Sequence, residues 1–590
     1  MKYAKYILTI IIVILILLAF IVQKKRTHYV RGSDMCISCH KEERDVSKSH
    51  PKSIMGCSTC HLGNPYVLNK KEACKGVIKY PSDLSVCEKT CGDCHKGLIE
   101  DVKNSLMATN RGIISSLLYQ WGFSSSPNKE IDIDTLKNEK KNIAIDHFNK
   151  MCASCHLWKK LGVGKGEIGT RGGGCANCHL INDDKKKHPL LTTRIPSENC
   201  TKCHNRSDRI GLSYFGKFES EGYGTPYENG CFSSNRLSGG RFFYHLPSDV
   251  HWSEAKMDCI DCHTMKGVMG WGKRVNHLEA QEEIQCKDCH SPHFQEVEKD
   301  TLPLTLSFLN EKVPLKAGDM VAVASRGSLL YNVKKVKDKV ILYRKRDGKP
   351  IEIKLTKEKA YHTASYHKSL SCSACHSKWI PQCYGCHEVL FKGLKQKNWL
   401  TQKIEEGRWV ELRSYLRFAY PQLGVGENGE IMPIAPGCQT YLSVFDKDYN
   451  LEEKNIINLG IAAFDPHTTN KSHTCIECHS YPKTLGFGEG ELSFDFKNNT
   501  FNFKPLYDVK KSHLGDVALD QMINEEGEPL QITSRLHARP LNKQELLGMW
   551  RPSACVICHD KYDDKIYKDF DKSFKMFIRG KGKRCSGSPY

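Results

Sequence analysis

Short helices and loops in the first half, β-rich insertions in the C-terminal half and one N-terminal transmembrane helix make up the fold this sequence predicts. Three observations lead there. Cys-x-x-Cys-His recurs twelve times. Only 39% of the 590 residues are hydrophobic, and the mean hydropathy is −0.48, lean for a chain that must build a conventional apolar core. An almost wholly apolar run, Tyr6–Val22, opens the chain.

The pentapeptides are Cys36, Cys39 and His40; Cys57, Cys60 and His61; Cys91, Cys94 and His95; Cys152, Cys155 and His156; Cys175, Cys178 and His179; Cys200, Cys203 and His204; Cys259, Cys262 and His263; Cys286, Cys289 and His290; Cys372, Cys375 and His376; Cys383, Cys386 and His387; Cys475, Cys478 and His479; and Cys555, Cys558 and His559. Each reads as an attachment site for haem c. Two thiols bond the haem vinyl groups, and the imidazole binds the iron from one side. On a helix, positions i, i+3 and i+4 share a face, so all three side chains can meet one flat porphyrin. With 29 Cys and 26 His in the chain, composition alone would yield about 0.06 such pentapeptides. Zinc would use paired Cys-x-x-Cys knuckles without a His after every second Cys. Twelve covalently bound haem c are therefore expected, each a large apolar plate that offsets the lean core.

The formal charge of +20 resembles a nucleic-acid signature and is not one here. Twelve haems shift the balance to about +8 when ferric and about −4 when ferrous. Many Lys and Arg then serve as propionate partners or solvated surface, and no nucleic-acid partner is expected.

Lys2 and Lys5 precede the apolar run, and Lys24, Lys25 and Arg26 follow it. Seventeen residues is the short end for a membrane span. No small-x-small cleavage site follows; the exit reads Ala19-Phe20-Ile21-Val22-Gln23-Lys24. Residues 1–27 are therefore expected to stay as a single-pass anchor in the cytoplasmic membrane, contacting it through residues 6–22. The flanking charges do not fix orientation. Haem c is attached on the non-cytoplasmic side, so the body is expected in the periplasm.

The motifs then fall into groups. Residues 28–110 hold three, next to the membrane. Residues 143–295 hold five. Residues 296–365 hold none and read as β-structure: Met320–Ala324, Ser328–Val333, Val340–Tyr343, a turn at Asp347-Gly348, and Ile351–Leu355. Residues 366–590 hold four, with further β-segments at Gln439–Phe445 and at Leu492–Phe496, which turns through Asn498-Asn499 into Phe501–Phe503. Six residues separate His376 from Cys383, which makes those two haems close neighbours.

The sixth iron position decides the chemistry. A second imidazole gives a closed, low-potential electron-transfer haem, and an open position admits substrate. Fourteen histidines lie outside the motifs. His28 sits beside the anchor. His473 is only two residues before Cys475, where His467 is better spaced. The remaining twelve are the expected second ligands: His50, His147, His188, His245, His251, His277, His293, His362, His367, His467, His513 and His537. Five cysteines are left over. Cys74 and Cys87 can close a short loop as a disulfide; Cys231, Cys438 and Cys585 cannot be paired from sequence.

The array resembles the large multihaem c-type cytochromes that carry electrons through the envelope of anaerobic, respiring bacteria. The likeness spans the body after the anchor. It rests on the pentapeptides and on flanks such as Cys200–Tyr214, Asp249-Val250-His251 before Met257–Thr264, and Pro466-His467-Thr468-Thr469. It implies a multihaem cytochrome c fold and a distal-ligand role for His251 and His467. The anchor with the first two motifs is similar to the membrane-anchored tetrahaem quinol dehydrogenases, which implies electrons taken from quinol or a quinol-oxidising protein and passed to a soluble or outer-membrane cytochrome. Multihaem nitrite and sulfite reductases commonly mark the catalytic haem with an altered motif, and all twelve here are plain. An electron carrier with no catalytic residue is therefore expected ahead of the alternative, a terminal reductase with one open haem acting on a small oxyanion.

Because the haems stand in for much of the core, the haem-free chain is expected to be protease-sensitive and to lack native-like circular dichroism. A protease-resistant apo-protein with a native-like spectrum contradicts this.

Overall fold

The computed structural model describes residues 34–580, apart from 184–186, 207–209, 220–236, 238–241, 300–311, 357–361, 363–364, 419–420, 438, 457–458, 496–497, 507–517 and 562. The expected anchor, His28, His513, Cys231, Cys438 and Cys585 lie outside the described residues. Among the described residues no helix is long and apolar enough to cross a membrane.

The chain forms two compact units. The first comprises Met1–Lys103, Leu157–Lys165 and Gly169–Ile195; the second comprises Asn104–His156, Gly166–Ile168 and Pro196–Tyr590. This departs from the grouping read along the sequence, because the Cys175 motif joins the first three rather than its sequence neighbours. The cause is local. Gly174 has φ 59°, and a Cβ there would lie 2.1 Å from the Ser82 carbonyl oxygen, so only glycine allows the approach. Ser82 Oγ donates to Gly173 O (2.9 Å), Leu191 N–H donates to Val46 O (2.7 Å), and Arg44 donates to His188 O (2.6 Å).

Short helices carry most of the first unit, and its longest helix, Gly92–Asn104, kinks at His95. The second unit adds three larger sheets. A five-stranded antiparallel meander runs β1 (Phe294–Glu296), β2 (Met320–Val323), β3 (Leu329–Val336), β4 (Lys339–Tyr343) and β5 (Pro350–Glu352) in spatial order. Its alternating inward residues Ala322, Leu330, Val333, Val340 and Leu342 form a core with Met257, against which Cys262 and Cys289 pack. The haem-free insertion thus holds two motifs in place. Asn332 Nδ2 donates to Asp261 O (3.1 Å), Lys345 N–H to Asp261 Oδ1 (2.6 Å), and Ser325 Oγ to Asp288 Oδ1 (2.9 Å).

The four-stranded sheet comprises β6 (Gln382–Lys397), β7 (Ile404–Arg417), β8 (Thr440–Phe445) and β9 (Leu451–Ile456), in the order β7-β6-β8-β9. Strands β6 and β8 are parallel, and the outer pairings are antiparallel. Leu390, Trp409, Leu442 and Val444 face inward onto Ile114, Leu117, Leu118 and Trp121 of the 111–121 helical segment. A five-stranded sheet of Gln422–Val425, Ile431–Pro436, Gly460–Ala463, Ile532–Thr533 and Arg539–Pro540 lies in the same unit. Gly490–Asp495 and Thr500–Pro505 pair as a hairpin, turning at Asn499 with φ 55°.

Leu342 is 2% exposed in the core under two motifs. Leu342→Ala is expected to cost about 2–5 kcal/mol, read as a lowered denaturation midpoint with no change in haem number.

Candidate functional site

In ten of the twelve motifs the pentapeptide closes one helical turn. The His N–H bonds the carbonyl of the first Cys at 40, 61, 95, 179, 204, 263 and 559, at 2.9–3.1 Å. The motifs Cys286–His290, Cys372–His376 and Cys475–His479 lie wholly inside short helices. Thr474 caps the last of these reciprocally with Glu477, and Ser371 accepts from Ala374 N–H in the one before. Two motifs differ. Cys152 ends a π-turn, a 3₁₀ turn follows, and His156 is extended. Cys383–His387 lies in β6, hydrogen-bonded on both edges to β7 and β8. In a strand, residues three apart point to opposite faces, so this motif departs from the one-faced arrangement expected for it.

Among the described residues, at least six motif imidazoles lie beside a second, non-motif imidazole. The ring centres are 6.1 Å apart for His95 and His50, 5.9 Å for His61 and His188, 6.1 Å for His290 and His251, 6.0 Å for His263 and His467, 6.3 Å for His376 and His362, and 6.3 Å for His479 and His367. A metal–imidazole bond of about 2 Å, plus about 1.1 Å from nitrogen to ring centre, on both sides of one ion gives about 6.2 Å. The ring-centre spacings of the six pairs are close to that figure.

The outer ring nitrogens are tied back. Nδ1 donates to a carbonyl in His61 (Ile78 O, 2.7 Å), His188 (Pro189 O, 3.0 Å), His290 (Lys354 O, 2.7 Å), His376 (Asn470 O, 3.0 Å), His362 (Thr356 O, 3.2 Å) and His467 (Asp465 O, 3.3 Å). A carbonyl can only accept, so the proton sits on Nδ1 and Nε2 keeps its lone pair. That is the tautomer a metal requires, fixed by its outer hydrogen bond. Burial, reinforced by the opposing ring, pushes His263 down to about 3 and His367 down to about 4, and lowers His50. The rings stay neutral, as ligands must.

The pairing is not local. His50 precedes the Cys57 motif but faces His95; His251 precedes Cys259 but faces His290; His367 precedes Cys372 but faces His479; His467 precedes Cys475 but faces His263. Chain entering a motif arrives on the cysteine side of that site, so a histidine there points at a neighbouring site. Only His362, fourteen residues before His376, serves the next motif along.

Of the other expected second ligands, His147 and His277 stand against other side chains. His147 Nε2 lies 3.2 Å from Glu388 Oε2, with its ring between Trp121 and Trp409. His277 Nε2 is 2.6 Å from Asn128 Oδ1. In both, the nitrogen a metal would take is engaged by protein. His245, His293 and His537 are exposed. His387 Nε2 is 2.8 Å from Ser443 Oγ. The disulfide allowed for Cys74 and Cys87 is also absent. Both are free, Cys74 exposed at a helix end and Cys87 fully buried.

Within each unit, successive motifs are tied together. In the first, Asp34 accepts from Cys36 N–H (3.2 Å) and from Ser58 N–H (2.7 Å), and Cys91 lies within electrostatic range of both Cys60 and Cys175. In the second, Ser197 Oγ donates to Asp258 Oδ1 (2.8 Å) and accepts from Cys259 N–H (3.2 Å). Cys262 and Cys289 share one core, and the Cys286 and Cys372 thiols touch. His473 N–H donates to Cys375 O (2.8 Å), and Cys475 Sγ to Asp560 O (3.7 Å). A succession 200–259–286–372–475–555 results. Cys152 and Cys383 are linked to each other instead, through His147 and Glu388.

No family model, no curated protein and no solved structure matches this chain.

Burial opposes a charge on His147, but the Glu388 carboxylate and the Cys152 thiol outweigh it and push the imidazole up to about 10. Its folded value exceeds the ordinary 6.5, so the pair's stabilisation is complete below pH 6.5 and is lost as pH rises through about 10. His147→Ala, leaving Glu388 buried and unpaired, is expected to cost about 3–5 kcal/mol at neutral pH. The deficit relative to the parent should shrink in denaturation curves as pH approaches 10.

Proposed function

We propose that this chain is a membrane-anchored periplasmic electron carrier, holding haem c on its twelve motifs. It takes electrons from quinol or a quinol-oxidising protein and passes them to a soluble or outer-membrane cytochrome. The observation that carries this reading is the set of six imidazole pairs. A nitrogen from each ring would hold one metal ion between them, leaving its other positions to a further group. Among the described residues no group of three or more His, Cys, Asp or Glu is placed to hold a metal by itself. In the motifs that close a helical turn, two thiols of that turn would be at hand to bond the edge of a haem ring. Haem would supply one-electron redox chemistry; the chain supplies spacing, ligation and exclusion of water. The tied succession of motifs within each unit supports transfer by short steps, because tunnelling falls off exponentially with distance.

A second reading, a terminal reductase with one open haem acting on a small oxyanion, is favoured by one observation. His387 meets a serine hydroxyl where the six paired histidines meet an imidazole.

Intact mass of the denatured holoprotein is expected to show twelve haems. Electron paramagnetic resonance of the oxidised protein is expected to be low-spin at the paired sites. His467→Ala should convert one haem in twelve to high spin while the mass still shows twelve. An unchanged spectrum in that variant would sink the relay reading. A stoichiometric high-spin haem in the parent, shifted by small oxyanions, would put the reductase first.

A further inference from the structure

Most ring tethers described above are neutral carbonyls; the tether on His251 is a buried carboxylate. His251 Nδ1 lies 2.8 Å from Asp249 Oδ1, which also accepts from His251 N–H (2.9 Å) and caps the helix Val250–Ser253. Asp249 Oδ2 accepts from Thr469 N–H at 2.7 Å, and Val250 N–H donates to Thr469 O at 3.0 Å. Asp249 is 2% exposed. One carboxylate thus holds His251, opposite His290, and the backbone two residues past His467, opposite His263. It sits where two neighbouring sites of the second unit meet.

Resting on the proposed function, we infer that Asp249 is a redox-tuning and positioning residue for the haem carried by Cys286, Cys289 and His290. A carboxylate accepting the Nδ1 proton draws it away from the ring and makes Nε2 a stronger donor, as in carboxylate–histidine–metal triads. A stronger donor and a nearby full negative charge both favour ferric over ferrous iron. Burial makes the effect count, because the charge is poorly screened. Asp564 makes the same contact with His559 Nδ1 at 2.8 Å, but its side chain is 28% exposed, so water screens it. The Cys286 haem is therefore held more reducing than the carbonyl-tethered haems around it.

Asp249→Asn keeps the shape and can still accept from a backbone N–H, but removes the charge. Spectroelectrochemical titration of the full-length holoprotein is expected to show the Cys286 haem moving to higher potential, with a smaller move of the neighbouring Cys259 haem. The expected size for the Cys286 haem is about tenfold in its ferric/ferrous ratio, or about 59 mV for one electron. Haem number by mass should be unchanged. Asp564→Asn should move its haem by less. Titration curves that superimpose on the parent's, at full haem content, overturn the inference and leave the relay reading standing. A purified parent without covalent haem overturns both. If the Asn variant does not yield folded holoprotein, the parent's own paramagnetic spectrum serves. One low-spin haem of reduced g-anisotropy, as strong imidazolate-like ligation gives, supports the assignment, and its absence contradicts it.

Discussion

The structure depends on a two-sided constraint on histidine. On one side, a single helical turn fixes a motif imidazole next to its two thiols. On the other, an outer hydrogen bond from Nδ1 fixes which nitrogen faces inward. Neither alone makes a metal position. Together, with a second imidazole 6 Å away centre to centre, they define a site to within a bond length. The sheets serve this arrangement. The meander of residues 294–352 has its core under Cys262 and Cys289 and accepts the His290 proton at Lys354. A segment without cysteine motifs is thus structural support for two of them.

Much of this was legible in the sequence, and the reasons are physical. Cys-x-x-Cys-His encodes one helical turn, a local fact that needs no tertiary context. The strands near 320–355 were legible because β-branched residues alternate there and Asp347-Gly348 supplies a turn. Six of the twelve expected second ligands stand opposite motif histidines. Which motif each serves was not legible, because proximity along the chain is a poor guide when the entering segment lies on the wrong side of its own site. His147 shows a further limit. It lies five residues before Cys152, as His50 lies seven before Cys57, but Glu388, far away in sequence, stands 3.2 Å from its Nε2. The long strands β6 and β7 also escaped notice, since Cys383–His387 reads as helical turn until its pairing with β7 and β8 is seen.

Two motifs stand apart from the other ten. Cys152 and Cys383 are the two that do not close an α-turn, and His147 and Glu388 join them in a buried ion pair between Trp121 and Trp409. The remaining ten run in sequence order within their units, four in the first and six in the second. The off-line pair gives the second unit a branch where the relay has only a line. At that branch His387 meets the Ser443 hydroxyl.

The crossed pairing of histidines has a consequence for how the protein is made. On the proposed reading, a chain made from its N-terminus presents His263 long before His467. The site at Cys259 would receive its ring early and would then wait, with one face bare, until a segment two hundred residues later arrives. The same holds for His290 in reverse, whose partner His251 is already waiting. Maturation of such a haem protein would then pass through half-built centres with exposed faces. Shortening the chain from its C-terminal end would leave the centre at Cys259 in that state, without the ring of His467.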